Sequence, residues 1–144
     1  MRSTKRLLAM LLTLVMAVSL SAGCAQSQEP DAASSREITD MAGRTVTVPA
    51  AEEIKSIFST GPVSAIFLYM AAPDKLLGWN YELNDTEKSI ILEEYHDIPN
   101  FGMGDAVNYD AVIAANPAIA VNCGTIDDVM ISDCDSLSEK LGIP

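Results

Sequence analysis

Ile98–Thr125, IPNFGMGDAVNYDAVIAANPAIAVNCGT, sets out a short helix, a stop, an apolar strand and a polar end in direct succession. Asn108 stands at an N-cap position, and Asp110 falls in the first turn, where a negative charge meets the positive end of the helix dipole. Tyr109, Val112 and Ile113 recur at i, i+3, i+4, so one helix face is apolar. Asn116-Pro117 ends the helix. Ala118–Val121 is then wholly apolar, which suits a strand covered on both faces in a parallel sheet. Asn122-Cys123-Gly124-Thr125 follows, polar and turn-prone, and ligands of open α/β sheets bind outside the carboxyl ends of their strands.

The flanking sequence reads as the same unit repeated. Upstream, Ile54–Ser59 is a short strand and Pro62 suits the first position of a helix over Val63–Met70, apolar on nearly every side and so expected to be buried. Leu76–Trp79 is a second strand. Asn84 with Glu87 three places on forms a capping-box pattern for a helix to about Tyr95, burying Ile90, Ile91 and Tyr95. Glu37–Pro49 is a β-hairpin with Ile38, Val46 and Val48 inward and Met41–Arg44 as its turn, where Gly43 is free to take positive φ. Downstream, Ile126–Leu141 is helical, with a possible break at Ser132-Asp133 and a stop at Gly142; Ile143-Pro144 reads as the first step of another strand. Cys134 keeps step with Met130, Leu137 and Leu141, the spacing of a buried helix face. Cys123 and Cys134 are left open as paired or free.

The N-terminus is of a different kind. Arg2, Lys5 and Arg6 precede Leu7–Leu20, a mostly apolar run of 14 residues, short for a membrane span and right for a signal core. Leu20-Ser21-Ala22-Gly23-Cys24 then resembles the lipobox of bacterial lipoproteins, with Ser21 where leucine is usual. It implies removal of residues 1–23 and lipidation of Cys24. Residues 24–36 are small and polar and read as a flexible tether, which leaves 37–144 as the folded lobe. Loss of residues 1–23 leaves 6 Lys+Arg against 20 Asp+Glu, a net charge of −14. So acidic a chain argues against nucleic acid as partner.

Four stretches carry a wider resemblance: Ile38–Pro49, Ala71–Gly78, Asn108–Val121 and Ser136–Pro144. In this order behind a lipobox they resemble the N-terminal lobe of periplasmic-binding-type lipoproteins that serve ABC importers of iron–siderophore complexes, haem and cobalamin. Asp110 stands where that family carries glutamate. The second lobe and the long helix joining the lobes are absent from these residues, so a fragment or a truncated product is expected. The resemblance implies a Rossmann-like α/β lobe, a metal-chelate ligand, an ABC permease as partner and a lipid anchor on the extracytoplasmic face of the cell membrane, with no cofactor and no enzymatic activity. By position at strand ends, the ligand-binding candidates are Thr60, Trp79, Asn80, Tyr81, Phe101, Met103 and Cys123; Asp110 is the permease-docking candidate.

Metal ligation and catalysis have little support in the sequence. His96, the single histidine, follows Glu93-Glu94-Tyr95 and suits a solvated pair with a carboxylate. There is no G-x-S-x-G, no phosphate loop with lysine and no G-x-G-x-x-G. The alternatives to solute capture are a sensor or adhesion lipoprotein on the same fold, and a surface-anchored enzyme. Mass spectrometry of the mature protein should find Cys24 at the N-terminus carrying diacylglycerol. An unmodified N-terminus elsewhere would remove the lipoprotein assignment.

Overall fold

The computed structural model describes residues 35–144. The signal segment, Cys24 and most of the tether lie outside the described residues.

The hairpin forms as its alternation requires. β1 (Arg36–Thr39) pairs antiparallel with β2 (Thr45–Val48), in the register Ile38↔Val46. Gly43 takes φ 80° in the turn, a conformation that glycine adopts without strain. Asp40, which the sequence reading passed over, organises this turn. Its carboxylate accepts from the Ala42 and Arg44 amides and pairs with Arg44 Nε at 2.8 Å. Arg44 Nη1 reaches on to Asp135 at 2.9 Å, tying hairpin to helix. The hydrogen bond from the Arg44 side chain, with those from the turn amides, holds the Asp40 pKa below its ordinary value. A lowered folded-state pKa means that this stabilisation is present above the ordinary carboxylate range and is lost as pH falls through the depressed value. Of the three inward candidates, Val48 is buried and Val46 half-buried, but Ile38 is exposed.

β3 (Ile57–Ser59) and β4 (Ile119–Val121) form a parallel pair in the register Ile57↔Ile119, Phe58↔Ala120, Ser59↔Val121. The expected strand Ile54–Ser59 is shorter, since only its last three residues enter the ladder. Leu76–Trp79 joins the other edge through single parallel bridges, Ile57↔Leu76 and Trp79↔Asn100. Its hydrogen bonds, Leu77 N to Ile57 O at 3.0 Å and Trp79 N to Pro99 O at 2.7 Å, carry the sheet sideways. Beyond β4, Ala120 N donates to the main-chain oxygen of Pro144 at 2.8 Å. The result is an α/β lobe with a small parallel sheet, helices and an N-terminal hairpin.

α1 (Pro62–Ala71) starts on Pro62, as expected, but it is not buried all round. Only Ser64, Ala65 and Leu68 are buried, with Tyr69 half-buried, while Val63, Phe67 and Met70 are exposed. A single neighbouring layer can cover one face of a helix, whatever the composition of the other. α2 (Asp85–Lys88) has the capping box: Asn84 Oδ1 accepts from the Thr86 and Glu87 amides, and Glu87 Oε2 from Asn84 N. It stops well short of Tyr95, and side chains meet backbone groups in the stretch that follows. Tyr69 OH accepts from Leu92 N, Trp79 Nε1 donates to Tyr95 O, and the His96 ring lies 2.8 Å from Ile91 O. Ile91 is buried as expected, Tyr95 is only half-buried, and Ile90 is exposed.

α3 (Tyr109–Ala115) has Asn108 as its cap, with Oδ1 accepting from Ala111 N, and buries Val112; Asn116 ends it in the left-handed region at φ 50°. α4 (Asp128–Leu141) is unbroken at Ser132-Asp133, both of which sit on its exposed side. Asp127 caps it, and Gly142 closes it at φ 69°. Cys134 is half-buried rather than buried, and both described cysteines are free thiols.

Two hydrophobic clusters lie on either side of the sheet. One gathers Ile57, Ala65, Leu68, Leu76, Trp79, Leu83 and Ile91; the other is Phe58, Phe101 and Val112, with the two phenylalanine rings edge to face at 6.0 Å. Gly78 lets Pro99 and Phe101 pack close, because a Cβ there would meet Pro99 O and lie 2.7 Å from the Phe101 ring. Gly78→Ala should therefore cost about 1–3 kcal/mol in urea denaturation, the range for overpacking a core. Gly61→Ala, built into open space, should cost far less.

Candidate functional site

Four loops leave the sheet at its carboxyl end. They follow Ser59, Trp79, Phe101 and Val121, and the candidate ligand residues all lie in them or at their roots. The structure sorts these residues by depth.

Trp79, Asn80 and Phe101 lie inside the lobe. Trp79 is 1% exposed, with its indole N–H bonded to Tyr95 O at 2.7 Å and its ring against Tyr69. Phe101 belongs to the second cluster. Asn80 is also 1% exposed, and its amide is used inward. Asn80 Nδ2 donates to Ser59 O at 2.9 Å and Gly102 O at 3.2 Å, and Oδ1 accepts from Ser59 Oγ at 3.0 Å. A buried amide is expensive to leave unsatisfied, and this one meets that demand by joining three strand ends. Ser59 was missed by the sequence reading. Its signal was a small polar residue closing an otherwise apolar strand.

Thr60, Tyr81, Met103 and Cys123 face outward to differing degrees. Thr60 is half-buried, and its Oγ1 donates to Asn122 Oδ1 at 2.8 Å. With Thr60 N bonded to Val121 O, this joins the ends of β3 and β4. Asn122 Nδ2 in turn lies 3.5 Å from Cys134 Sγ on α4. Tyr81 is half-buried, and its hydroxyl donates to Glu87 Oε1 at 2.9 Å. Burial, then the Glu87 carboxylate, raises the Tyr81 pKa above its ordinary value, so the hydroxyl stays a donor at neutral pH. Met103 is 50% exposed, and Cys123 is half-buried. Gly61 is extended at φ −171°, so the wall beside Thr60 is bare backbone that any residue could form.

Asp110 stands apart, exposed in the first turn of α3. The sequence reading set His96 beside a carboxylate; its ring instead donates to the Ile91 carbonyl. Among the described residues, no three of His, Cys, Asp and Glu converge as a metal site would need. No described helix is long and apolar enough to cross a membrane.

Neither a protein-family profile nor a curated protein matches the chain by sequence. By structure it is similar to an ABC transporter solute binding protein from Sulfurospirillum deleyianum DSM 6946, with a TM-score of 0.59 and 19% identity over 76% of this chain and 35% of that one. It is likewise similar to a periplasmic solute binding protein from Veillonella parvula DSM 2008, with a TM-score of 0.54 and 19% identity over 77% of this chain and 34% of that one. At this identity the likeness establishes the fold, and the chain spans about a third of the length of either protein.

The Asn80 clamp makes a measurable prediction. Asn80→Ala removes three hydrogen bonds and leaves buried partners behind, and should cost roughly 2–4 kcal/mol in urea denaturation. Thr60→Val, at a half-buried site, should cost about 1 kcal/mol or less.

Proposed function

We propose that the chain is the solute-binding lobe of an extracytoplasmic lipoprotein that delivers a metal chelate to an ABC importer: a ferric siderophore, haem, cobalamin or a similar complex. The observation that carries this reading is the clamped carboxyl face of a parallel sheet, on a fold shared with two proteins described as solute binding proteins. Cys24 carries the lipid anchor. The wall offered to the solute is Thr60, Tyr81, Met103 and Cys123, with Trp79, Asn80 and Phe101 setting the loops from beneath. The thioether of Met103 and the ring of Tyr81 are polarisable surfaces suited to a flat macrocycle or chelate. The protein binds and releases; it does not transform its solute.

Asp110 is assigned to permease docking. It is exposed and lies on α3, a different element from the four loops that carry the solute face. Its carboxylate also serves the helix dipole, worth about 0.3–1 kcal/mol.

A complementation experiment tests both statements. Deletion of the gene should abolish uptake of labelled ferric siderophore, haem or cobalamin, and the wild-type gene should restore it. Unchanged uptake of all three would overturn the metal-chelate reading. Asp110→Ala should restore solute binding but reduce uptake at least several-fold; full uptake would leave Asp110 only its role at the helix end.

A further inference from the structure

α1 carries no charged residue, and the side it turns to solvent is apolar along its length. Val63, Ile66, Phe67 and Met70 recur at i, i+3, i+4, i+7, which sets them on one face. All four are exposed, Phe67 by 60% and Met70 by 73%. Leu92 widens this stripe. Its amide donates to the Tyr69 hydroxyl at 3.0 Å, which holds it beside α1, and its side chain is exposed too. Carboxylates stand at one end. Asp74 follows the end of α1, and Glu94 lies two residues after Leu92. Loss of solvent, then the charges of Glu94 and Asp74, raise the Tyr95 pKa, so the two carboxylates converge on one side chain. The neighbouring Lys75 is turned away to Ile54 O at 2.6 Å. At its other end α1 has no acidic residue in the first turn, which leaves the positive pole of its dipole without a carboxylate.

We propose that this stripe pairs with the same stripe of a second copy of the chain, the two α1 helices lying antiparallel about a two-fold axis between Ile66 and Phe67. The area fits a second copy. The five side chains expose on the order of 500 Å², at the upper end of the largest apolar patch that a monomer carries. Two such stripes face to face bury about 1,000 Å², enough for a specific but weak dimer. Charge sets the direction. In an antiparallel pair, Asp74 and Glu94 of one copy lie towards the acid-free N-terminal pole of α1 in the other. In a parallel pair the like charges of the two copies would meet. Because α1 carries no charge, no ion is stripped of water at the centre of the contact. One patch meets its own copy, so the assembly closes at two. Thr60 precedes each α1, which leaves the two carboxyl faces at opposite ends of the paired helices.

Disulfide cross-linking of the full chain tests the pairing. Cys123→Ser and Cys134→Ser clear the background, and cysteines are then placed at exposed positions of the stripe. Val63→Cys with Met70→Cys should give a covalent dimer on mild oxidation, because the antiparallel pair sets Val63 of one copy against Met70 of the other. Its yield should exceed that of Met41→Cys, at the exposed hairpin turn, by at least about tenfold, since pairing raises the effective concentration of the thiols. Either stripe substitution alone should stay at the Met41→Cys level, because about 10 Å along the helix separates each position from its own copy, too far for a disulfide. Phe67→Glu added to the double substitution should lower the dimer yield by at least about tenfold, since it places unpaired carboxylates in the contact. Met70→Cys alone cross-linking as strongly as the double substitution would overturn the proposal, and so would a yield indifferent to Phe67→Glu. Monomer alone from the double substitution, as expected where another stretch of the same chain covers the stripe, would overturn it. An adduct with a protein of different mass in place of the dimer would do the same. No solute or permease enters the experiment, so its outcome is independent of the transport reading.

Discussion

The side-chain amide of Asn80 is the constraint on which the carboxyl face of the sheet depends. It is buried in the interior, where each unpaired polar group costs far more than a surface one. Of its three hydrogen bonds, two reach the end of β3 at Ser59 and one reaches Gly102 in the loop after Phe101. Those segments are otherwise held by a ladder of very few rungs: a three-residue strand pair and two isolated bridges. A ladder that short fixes direction but not the ends of its strands. The amide supplies the missing restraint, and Thr60 to Asn122 extends it across to β4.

The same economy shows in the loop between Trp79 and Phe101. Instead of a long helix, that stretch has one capped turn and a 3-10 turn, Glu93–Tyr95, with side chains taking up the freed backbone groups. Tyr69 is central. Its ring lies against Trp79 and Tyr95, and its hydroxyl holds Leu92 N. α1 therefore contributes to the fold through one polar-tipped aromatic, Leu68 and the small residues Ser64 and Ala65, and leaves Val63, Phe67 and Met70 outside. Helix position and loop path are set by the same contact.

What could be read in the sequence follows from the range of the interactions involved. The hairpin, the α3 cap at Asn108, the stop at Asn116-Pro117, the Gly142 stop and the helix start at Pro62 depend on neighbours within a few residues, and all were legible. The length of α2 was not, because Tyr69, distant in sequence, takes the Leu92 amide that a longer helix would have used. Nor was the exposed face of α1, since an apolar helix carries no mark of which side meets the sheet. The candidate site divides in the same way. Position at strand ends selected the loops that follow Ser59, Trp79, Phe101 and Val121. It could not separate Trp79, Asn80 and Phe101, which are buried, from Thr60, Tyr81, Met103 and Cys123, which reach the surface, because depth is a property of the whole lobe.

That division bears on how such a face would recognise a solute. The two hydroxyls that reach outward already spend their protons internally, Thr60 on Asn122 and Tyr81 on Glu87. What they still offer is oxygen lone pairs. Met103 adds a thioether and Cys123 a weak thiol donor. A wall of this kind supplies acceptors and dispersion and few strong donors, so under the transport function proposed above it would favour a solute that brings its own donors or a broad polarisable surface. Its acceptors are held in place by the bonds that commit their protons, and little side-chain entropy remains to be lost when a solute arrives. The clamp that completes a short sheet and the preorganisation of its carboxyl face are thus one set of hydrogen bonds.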